Sequence, residues 1–391
     1  MRNYKYFIVG GGMTAAAAAE GIRNIDPAGS IGVISSDVDP PYDRPPLSKG
    51  LWKDKALESI WRKIETFSVS LHLETSVTQI DTQKKQATDS KNENYSWNKL
   101  LLATGCSPRI LPFGRDEIIY YRTASDYRRL HDLAGTKGRF AVIGAGFIGS
   151  EIAAALRMHG KEVTLFCPGE GIGDRIFPPD ISRYIAAFFN GKGVSVRKHA
   201  RVSRVVRTAQ GVLVTASDGS EVVVDAVVAG IGVEPNVQLA EAAGLATNNG
   251  IVVDEFLRTG SPDIYAAGDV AAFPCKPLGK RTRVEHEDNA NTMGKCAGKN
   301  MAGQQEPYNH LPMFYSDLFE LGYEAVGELD SRLEVFIDWK EPFKEGVIYY
   351  LEKDRVRGVL LWNVWGQVDP ARQLISEPGP IRPADLRGRL K

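Results

Sequence analysis

Two short glycine clusters carry the clearest chemical signal in the chain. Gly10, Gly12 and Ala15 form a G-x-G-x-x-A pattern, and Gly144, Gly146 and Gly149 form a G-x-G-x-x-G pattern 134 residues later. In such a pattern the first glycine turns the chain out of a strand, the second lets a pyrophosphate reach backbone N–H groups, and the third small residue lets helix and strand pack closely. The helix that follows adds the positive end of its dipole. Either cluster alone reads equally well as a plain glycine turn. Two in matched surroundings point to two dinucleotide sites. A further candidate is Asp269, in DIYAAGDV at residues 263–270. A carboxylate there either accepts hydrogen bonds from sugar hydroxyls or caps a helix. Thiol and metal chemistry have no comparable pattern. Cys106, Cys167, Cys275 and Cys296 include no C-x-x-C or C-x-x-x-x-C pair and no metal-ligand spacing, and read as reduced thiols.

Each cluster sits where a strand turns into a helix. Residues 6–22 read YFIVGGGMTAAAAAEGI and residues 140–156 read FAVIGAGFIGSEIAAAL. Short apolar runs at 31–35 and 162–166 follow, which makes β-α-β twice. KLLLATG at 99–105 and AVVAGIG at 226–232 are a second matched pair of buried-strand runs ending in glycine. Two similar nucleotide-binding units are expected. Residues 234–236 read as a turn, 251–254 and 263–269 as strands, and 284–301 as a helix. Aromatic and β-branched residues crowd 314–336 and 346–365, which predicts an antiparallel sheet domain. Residues 369–376 read as a helix. The basic tail of Arg382, Arg387, Arg389 and Lys391 reads as a solvated end.

The chain has 391 residues, enough for two or three domains. Charged residues are 25% and hydrophobic ones 43%, an ordinary globular balance that excludes a disordered, collagen-like or small disulfide-rich protein. The 48 basic and 48 acidic residues cancel, so no global grip on nucleic acid is expected. No apolar run is long enough for a membrane span. The apolar stretch at 7–19 is broken by Gly10, Gly11 and Gly12 and reads as the first fingerprint, not as a signal peptide. With no targeting segment visible, a cytoplasmic location is expected.

Several motifs together resemble a known family. Gly10-x-Gly12, Ala103-Thr104-Gly105, Gly144-x-Gly146-x-x-Gly149 and Gly268-Asp269 occur in the order seen in two-dinucleotide flavoprotein reductases. PYDRPPLSK at 41–49 resembles the branch of oxygenase-coupled ferredoxin reductases, rubredoxin reductases and apoptosis-inducing factor. RVEHED (283–288), MFYSD (313–317), GYEAVG (322–327) and GVLLWNV (358–364) look like apoptosis-inducing factor in particular. The resemblance implies an α/β fold of two Rossmann-like domains, for FAD and NAD, plus a C-terminal α+β domain with an antiparallel sheet. The implied boundaries are FAD-binding 1–121 and 235–306, NAD(P)H-binding 122–234 and C-terminal 307–391.

It also implies roles. Gly10, Gly12, Met13, Thr14 and Ala15 would hold the FAD pyrophosphate, with Ala103, Thr104, Gly105 and Gly268 beside it. Arg44 and Lys49 would lie along the FAD, Lys49 close to the isoalloxazine ring, where an ammonium stabilises electron-rich flavin. Val77 would bond the adenine through its backbone, Asp269 the ribityl chain, and Arg122 would lie near the FAD. Gly144, Gly146, Phe147, Ile148, Glu151 and Gly232 would serve the nicotinamide dinucleotide, with Phe147 gating the flavin face. Glu285 and His286 would start a helix aimed at the flavin pyrimidine edge, and Tyr315 would stack where the family has tryptophan. Lys49, Phe147, Glu151, Glu285 and His286 form the implied catalytic set, and no metal is expected.

Two departures bear on the sugars. The ribose acid of the first unit is replaced by Ser36, with Asp37 next to it. The matching acid of the second unit is replaced by Cys167, with Arg175 and Lys161 as cations that would tolerate a 2′-phosphate. The implied activity is an FAD-dependent NAD(P)H oxidoreductase, with hydride passing from NADH to flavin N5; NADPH stays open. Electrons then go to a ferredoxin- or rubredoxin-type protein or another acceptor. The alternative is a slow, apoptosis-inducing-factor-like NADH oxidase acting as a redox-responsive interaction protein with NADH-dependent homodimerisation.

Overall fold

The computed structural model describes residues 1–390; Lys391, the last residue of the basic tail, lies outside them. The chain divides into two compact units, each assembled from three separate stretches. One comprises Met1–Arg44, Ala56–Ser107 and Glu234–Pro312; the other comprises Pro45–Lys55, Pro108–Val233 and the chain from Met313 onward.

The first unit is built on a seven-stranded sheet. Its central strand, Arg2–Val9, runs parallel to Ile31–Ile34 on one side and to Asn94–Leu102 on the other. Ile264–Ala266 adds in parallel to the last three residues of Asn94–Leu102. Where these strands lie side by side their residues are apolar, FIV at 7–9, LLL at 100–102 and IYA at 264–266, because both faces are covered there, as parallel sheets require. Phe7, Ile8, Leu100, Leu101, Leu102, Ile264 and Ala266 are wholly buried. Two helices, Met13–Arg23 and Glu287–Met301, pack on each other at backbone distance. A Cβ added at Gly298 would fall on the Ala18 carbonyl, and one at Gly294 would come within 2.5 Å of the Thr14 carbonyl. The Ala-rich run of the first helix is therefore a packing surface, since larger side chains would hold the helices apart.

The second unit contains a five-stranded sheet in the order Val194–Arg197, Glu162–Phe166, Arg139–Ile143, Ala226–Ala229, Ile118–Tyr120. Every pairing in it is parallel. An antiparallel meander, Val202–Thr208, Gly211–Ala216 and Glu221–Val224, joins the same core. From Met313 a five-stranded antiparallel sheet forms, with helix Val368–Ser376 packed against two of its strands. Aromatic contacts tie helix Pro179–Gly191 to this sheet. The Tyr184 and Phe343 rings stack at 4.6 Å, and Phe189 meets Phe319 edge-on at 5.1 Å.

The stretch Pro45–Lys55 is bonded to the rest of the second unit through its carbonyls. Tyr121 donates to Leu47 O at 2.5 Å, Tyr127 to Leu51 O at 3.2 Å and His159 Nε2 to Trp52 O at 2.8 Å. The Trp52 ring lies against Tyr127, His131 and His159. These bonds fix the backbone on both sides of Lys49.

Three local expectations change. Val233–Pro235 is a strand rather than a turn. The expected strand at 263–269 stops at Ala266, because Gly268 takes a positive φ and opens a short 3-10 turn over Gly268–Val270. The tail is not a solvated end: Ile381, Leu386 and Leu390 are buried, and Arg389 pairs with Glu377. Its charges face water while its apolar residues pack.

The helix contact yields a test. Gly298→Val is expected to lower stability by on the order of 3 kcal/mol through overpacking. Gly135→Ala, in a helix where an added Cβ meets nothing within 4 Å, is expected to raise it by up to about 1 kcal/mol. Thermal denaturation of the two variants measures the contrast.

Candidate functional site

The two fingerprints adopt nearly the same backbone. Gly10 has φ +117° and Gly144 φ +97°, a region closed to other residues without strain. A side chain at Gly10 would strike the Ala103 carbonyl, and one at Gly144 would come within 2.5 Å of the Gly230 carbonyl. Gly12 and Gly146 are the N-caps of helices Met13–Arg23 and Phe147–Met158, with ψ −165° and −164°. Neither helix has a side-chain cap or an acidic residue in its first turn. A Cβ on Gly12 would meet only the Arg44 guanidinium, at 4.0 Å, and one on Gly146 would meet nothing. Each helix therefore presents first-turn N–H groups beside an open space that a side chain would fill. That is the construction of a phosphate cradle, and the residues present fit a dinucleotide pyrophosphate in both units.

Other expected residues of the first unit gather at the same end of its sheet. Val9, Leu102 and Ala266 are in register as the last residues of three parallel strands. The loops they feed carry Gly10–Ala15, Ala103–Gly105 and Gly268–Asp269. Ala15 is wholly buried, Met13 begins the helix, and Thr14 lies where a Cβ on Gly268 would fall. Thr104 Oγ1 donates to Asn236 O and Asn236 Nδ2 donates to Thr104 O, both at 2.8 Å. Asn236 has no signature of its own in the sequence. Asp269 sits inside the 3-10 turn, not at its N-cap, which is Ala267. Its carbonyl accepts from Arg283 at 3.0 Å, and Arg283 pairs with Glu285 at 2.8 Å. His286 is the N-cap of helix Glu287–Met301. Burial pushes its imidazole down to about 4 despite the opposing charges of Asp269 and Asp288, so it is neutral at pH 7. Val77 begins a strand paired with Asp89.

In the second unit the structure joins two residues to which the resemblance gave separate roles. Glu151 lies in helix Phe147–Met158 with its side chain 2% exposed, and its Oε1 is 2.8 Å from Lys49 Nζ. Ser48 Oγ and Ser316 Oγ each donate to the same carboxylate at 2.5 Å. Lys49 also lies 5.0 Å above the Tyr315 ring, and Phe147 packs edge-on against Phe314 at 5.1 Å. Two chain-distant stretches thus converge on one carboxylate. Ser48 and Ser316 stood inside the quoted motif blocks, but sequence order could not show that they point at Glu151. Phe147, Ile148 and Tyr315 remain more than a third exposed. Gly232 has φ +94° and its carbonyl accepts from the Arg109 N–H; Arg122 opens the capping-box turn before helix Ala124–Thr136.

The sugar positions differ from one another. Ser36 is exposed, while the Asp37 carboxylate accepts from the Tyr42 hydroxyl at 3.0 Å. Cys167 is 1% exposed. Lys161 precedes the strand Glu162–Phe166 and lies about 17 Å from its ribose end at ~3.3 Å per residue, so it is removed from any role there. Among the described residues no cluster of His, Cys, Asp or Glu has the makings of a metal site, and no helix is long and apolar enough to cross a membrane.

Comparison with known proteins adds the decisive match. A family model described as pyridine nucleotide-disulphide oxidoreductase matches residues 4–294. The chain belongs to that family. Membership implies FAD and a nicotinamide dinucleotide, in agreement with the two cradles. A second model, described as apoptosis-inducing factor, mitochondrion-associated, C-term, matches residues 297–339 and 336–377. Apoptosis-inducing factor 1, mitochondrial, of Dictyostelium discoideum is 33% identical over 96% of this chain and 79% of its own. The putative apoptosis-inducing factor 1, mitochondrial, of Drosophila melanogaster is 29% identical over 96% of this chain, which spans 64% of that protein's length. Among solved structures, the covalent putidaredoxin reductase–putidaredoxin complex contains a chain of TM-score 0.91 and 30% identity, covering 98% of this chain and 95% of that one.

Two outcomes follow from the buried charges of this family member. Lys49→Ala leaves the Glu151 carboxylate with only its two serine donors and is expected to cost on the order of 3 kcal/mol; Glu151→Gln is expected to cost less, because the ammonium it leaves is 12% exposed against 2% for the carboxylate. Chemical denaturation compares them. Between pH about 6.5 and about 4 the unfolded chain protonates at His286 and the folded chain does not, so stability falls as pH drops through that window. His286→Asn, which puts a non-titrating residue favoured at N-caps in its place, is expected to flatten that loss in melting curves recorded across the range.

Proposed function

We propose that this protein is an FAD-dependent NADH oxidoreductase that passes electrons to a ferredoxin- or rubredoxin-type protein. The observation that carries the reading is the matched pair of uncapped, acid-free, glycine-lined helix N-termini, one in each unit. A single cradle would suit any phosphate ligand. Two, in the order of the family's motifs, suit a donor and an acceptor dinucleotide. The likeness to a putidaredoxin reductase solved with putidaredoxin supports a small redox-protein acceptor.

When bound, FAD supplies the redox chemistry, accepting a hydride from reduced nicotinamide and releasing electrons to the acceptor. Gly10, Gly12, Met13, Thr14 and Ala15 hold its pyrophosphate, aided by Arg44, and Asp269 binds its polyol chain. Asp37 and Val77 serve its adenosine. Gly144, Gly146 and Ile148 hold the nicotinamide dinucleotide, and Phe147 covers its reactive end. Lys49 would serve as a fixed N–H donor more than as a net positive field, because Glu151 balances most of its charge. Glu151 is itself held by Ser48 and Ser316 and keeps the ammonium from swinging away. His286, neutral, takes no proton from the donor; it fixes the start of its helix.

A second reading has its own support. The match of residues 297–377 to the apoptosis-inducing-factor C-terminal model supports kinship with that factor, and with it the alternative that the resemblance implies, a slow NADH oxidase whose NADH-bound form self-associates.

Anaerobic titration tests the first reading. The purified protein is expected to be yellow and to bleach on adding NADH, with fast cytochrome reduction through added ferredoxin. Lys49→Ala is expected to slow bleaching by on the order of tenfold or more. A folded, colourless protein that takes up no FAD would end this reading; slow bleaching with NADH-dependent dimers in sedimentation would favour the second.

A further inference from the structure

The two phosphate-cradle helices begin without an acid, but helix Glu287–Met301 begins with two, Glu287 and Asp288. A carboxylate in a first turn cancels part of the positive potential that a helix start offers to a group beyond it. Here the place matters, because this helix starts beside the Gly268–Asp269 turn of the first cradle. The Asp269 charge acts on His286, its N-cap. The Gly268 N–H donates to Met293 Sδ, in the second turn, at 3.2 Å.

Asp288 does not stand uncompensated. Its Oδ2 lies 2.6 Å from His310 Nε2, with the two side chains 22% and 26% exposed. His310 belongs to the segment that leaves the helix for the C-terminal sheet, and Tyr308 pins that segment to the same helix. The Tyr308 hydroxyl donates to Asn289 Oδ1 at 3.0 Å and lies 2.9 Å from Thr292 Oγ1, while its N–H donates to Glu255 O at 2.7 Å. The titratable groups that His310 faces include Asp288 on the helix and Tyr308 on its own segment, whose ring lies 6.1 Å away. Burial pushes the Tyr308 hydroxyl far up, so it stays neutral. The Asp288 charge reaches both Tyr308 and His286.

We propose that His310 is a positioning and charge-compensating residue of the redox site: paired with Asp288, it sets the electrostatic potential at the start of helix Glu287–Met301 and with it the reduction potential of flavin bound in the first unit. Reduction loads electron density onto the flavin. A helix start that faces the ring stabilises that density, and a bare carboxylate in the first turn opposes it. With a protonated His310 on Asp288 the pair is close to neutral and the helix keeps its positive end. The inference rests on the reading of the first unit as the FAD site, with the His286 helix facing the flavin.

Flavin potentials test it without turnover. They are read by equilibration with a dye of known potential at pH 6, below the ordinary imidazole value of about 6.5. His310→Gln leaves Asp288 bare and is expected to shift the equilibrium toward oxidised flavin on the order of fivefold, about 20 mV for a two-electron couple. Asp288→Asn is expected to shift it the other way by a similar factor. The double variant removes both charges and is expected to return to within about twofold of the native equilibrium. A role confined to holding segment 308–312 predicts lower melting temperatures for both single variants with the potential unmoved. That result overturns the proposal, and so does a shift of both variants in one direction. His310→Lys keeps a cation opposite Asp288 and is expected to hold the native equilibrium to within about twofold. A loss there as large as that expected for His310→Gln overturns the proposal even where His310→Gln fails to fold. A native protein that takes up no FAD would instead strike at the reading of the first unit itself.

Discussion

The Glu151 carboxylate is the interaction on which the organisation of the second unit turns. A carboxylate with a side chain 2% exposed is tolerable only if its charge is paired and its lone pairs are met. One ammonium and two hydroxyls meet them: Lys49 and Ser48 from one stretch and Ser316 from the C-terminal sheet, both distant in the chain from the fingerprint helix that carries the carboxylate. The cluster therefore brings the PPLSK block, the second dinucleotide fold and the antiparallel sheet to one point. It also explains why Lys49 is held by so many bonds to its neighbours' carbonyls. An ion pair at this depth repays its desolvation only in a fixed geometry.

Much of the architecture was legible because its signals are local. A glycine that must take positive φ, an apolar run too uniform to be amphipathic and a helix that begins without an acid are all properties of a few adjacent residues. Gly10, Gly144 and the ends of Asn94–Leu102 and Ala226–Ala229 stand where the pattern placed them. Short strands were overrun where a single backbone reversal stopped them, as at Gly268. In the tail, charge dominates the composition while three spaced apolar residues decide the packing.

The site was legible residue by residue but not as a set of contacts. Lys49 and Glu151 were both singled out, yet nothing in their numbering says that they touch. Ser48, Ser316 and Asn236 carry no chemical signature apart from what they face. Cys167 shows the converse: its position in the pattern is a ligand position, and only the direction of its side chain shows that it is not one.

The interleaving of the chain has a consequence for how the protein is made. Ile264–Ala266 completes the first unit's sheet beside residues 100–102, so more than 160 residues must be synthesised between partners that end up hydrogen-bonded. Pairings of such sequence separation form slowly, because a long loop must close before any contact rewards it. On the ribosome the parallel core of the second unit can assemble before the first has its last strand, and until then residues 100–102 have an open edge. Neither unit is a contiguous piece, so no single cut releases either of them whole.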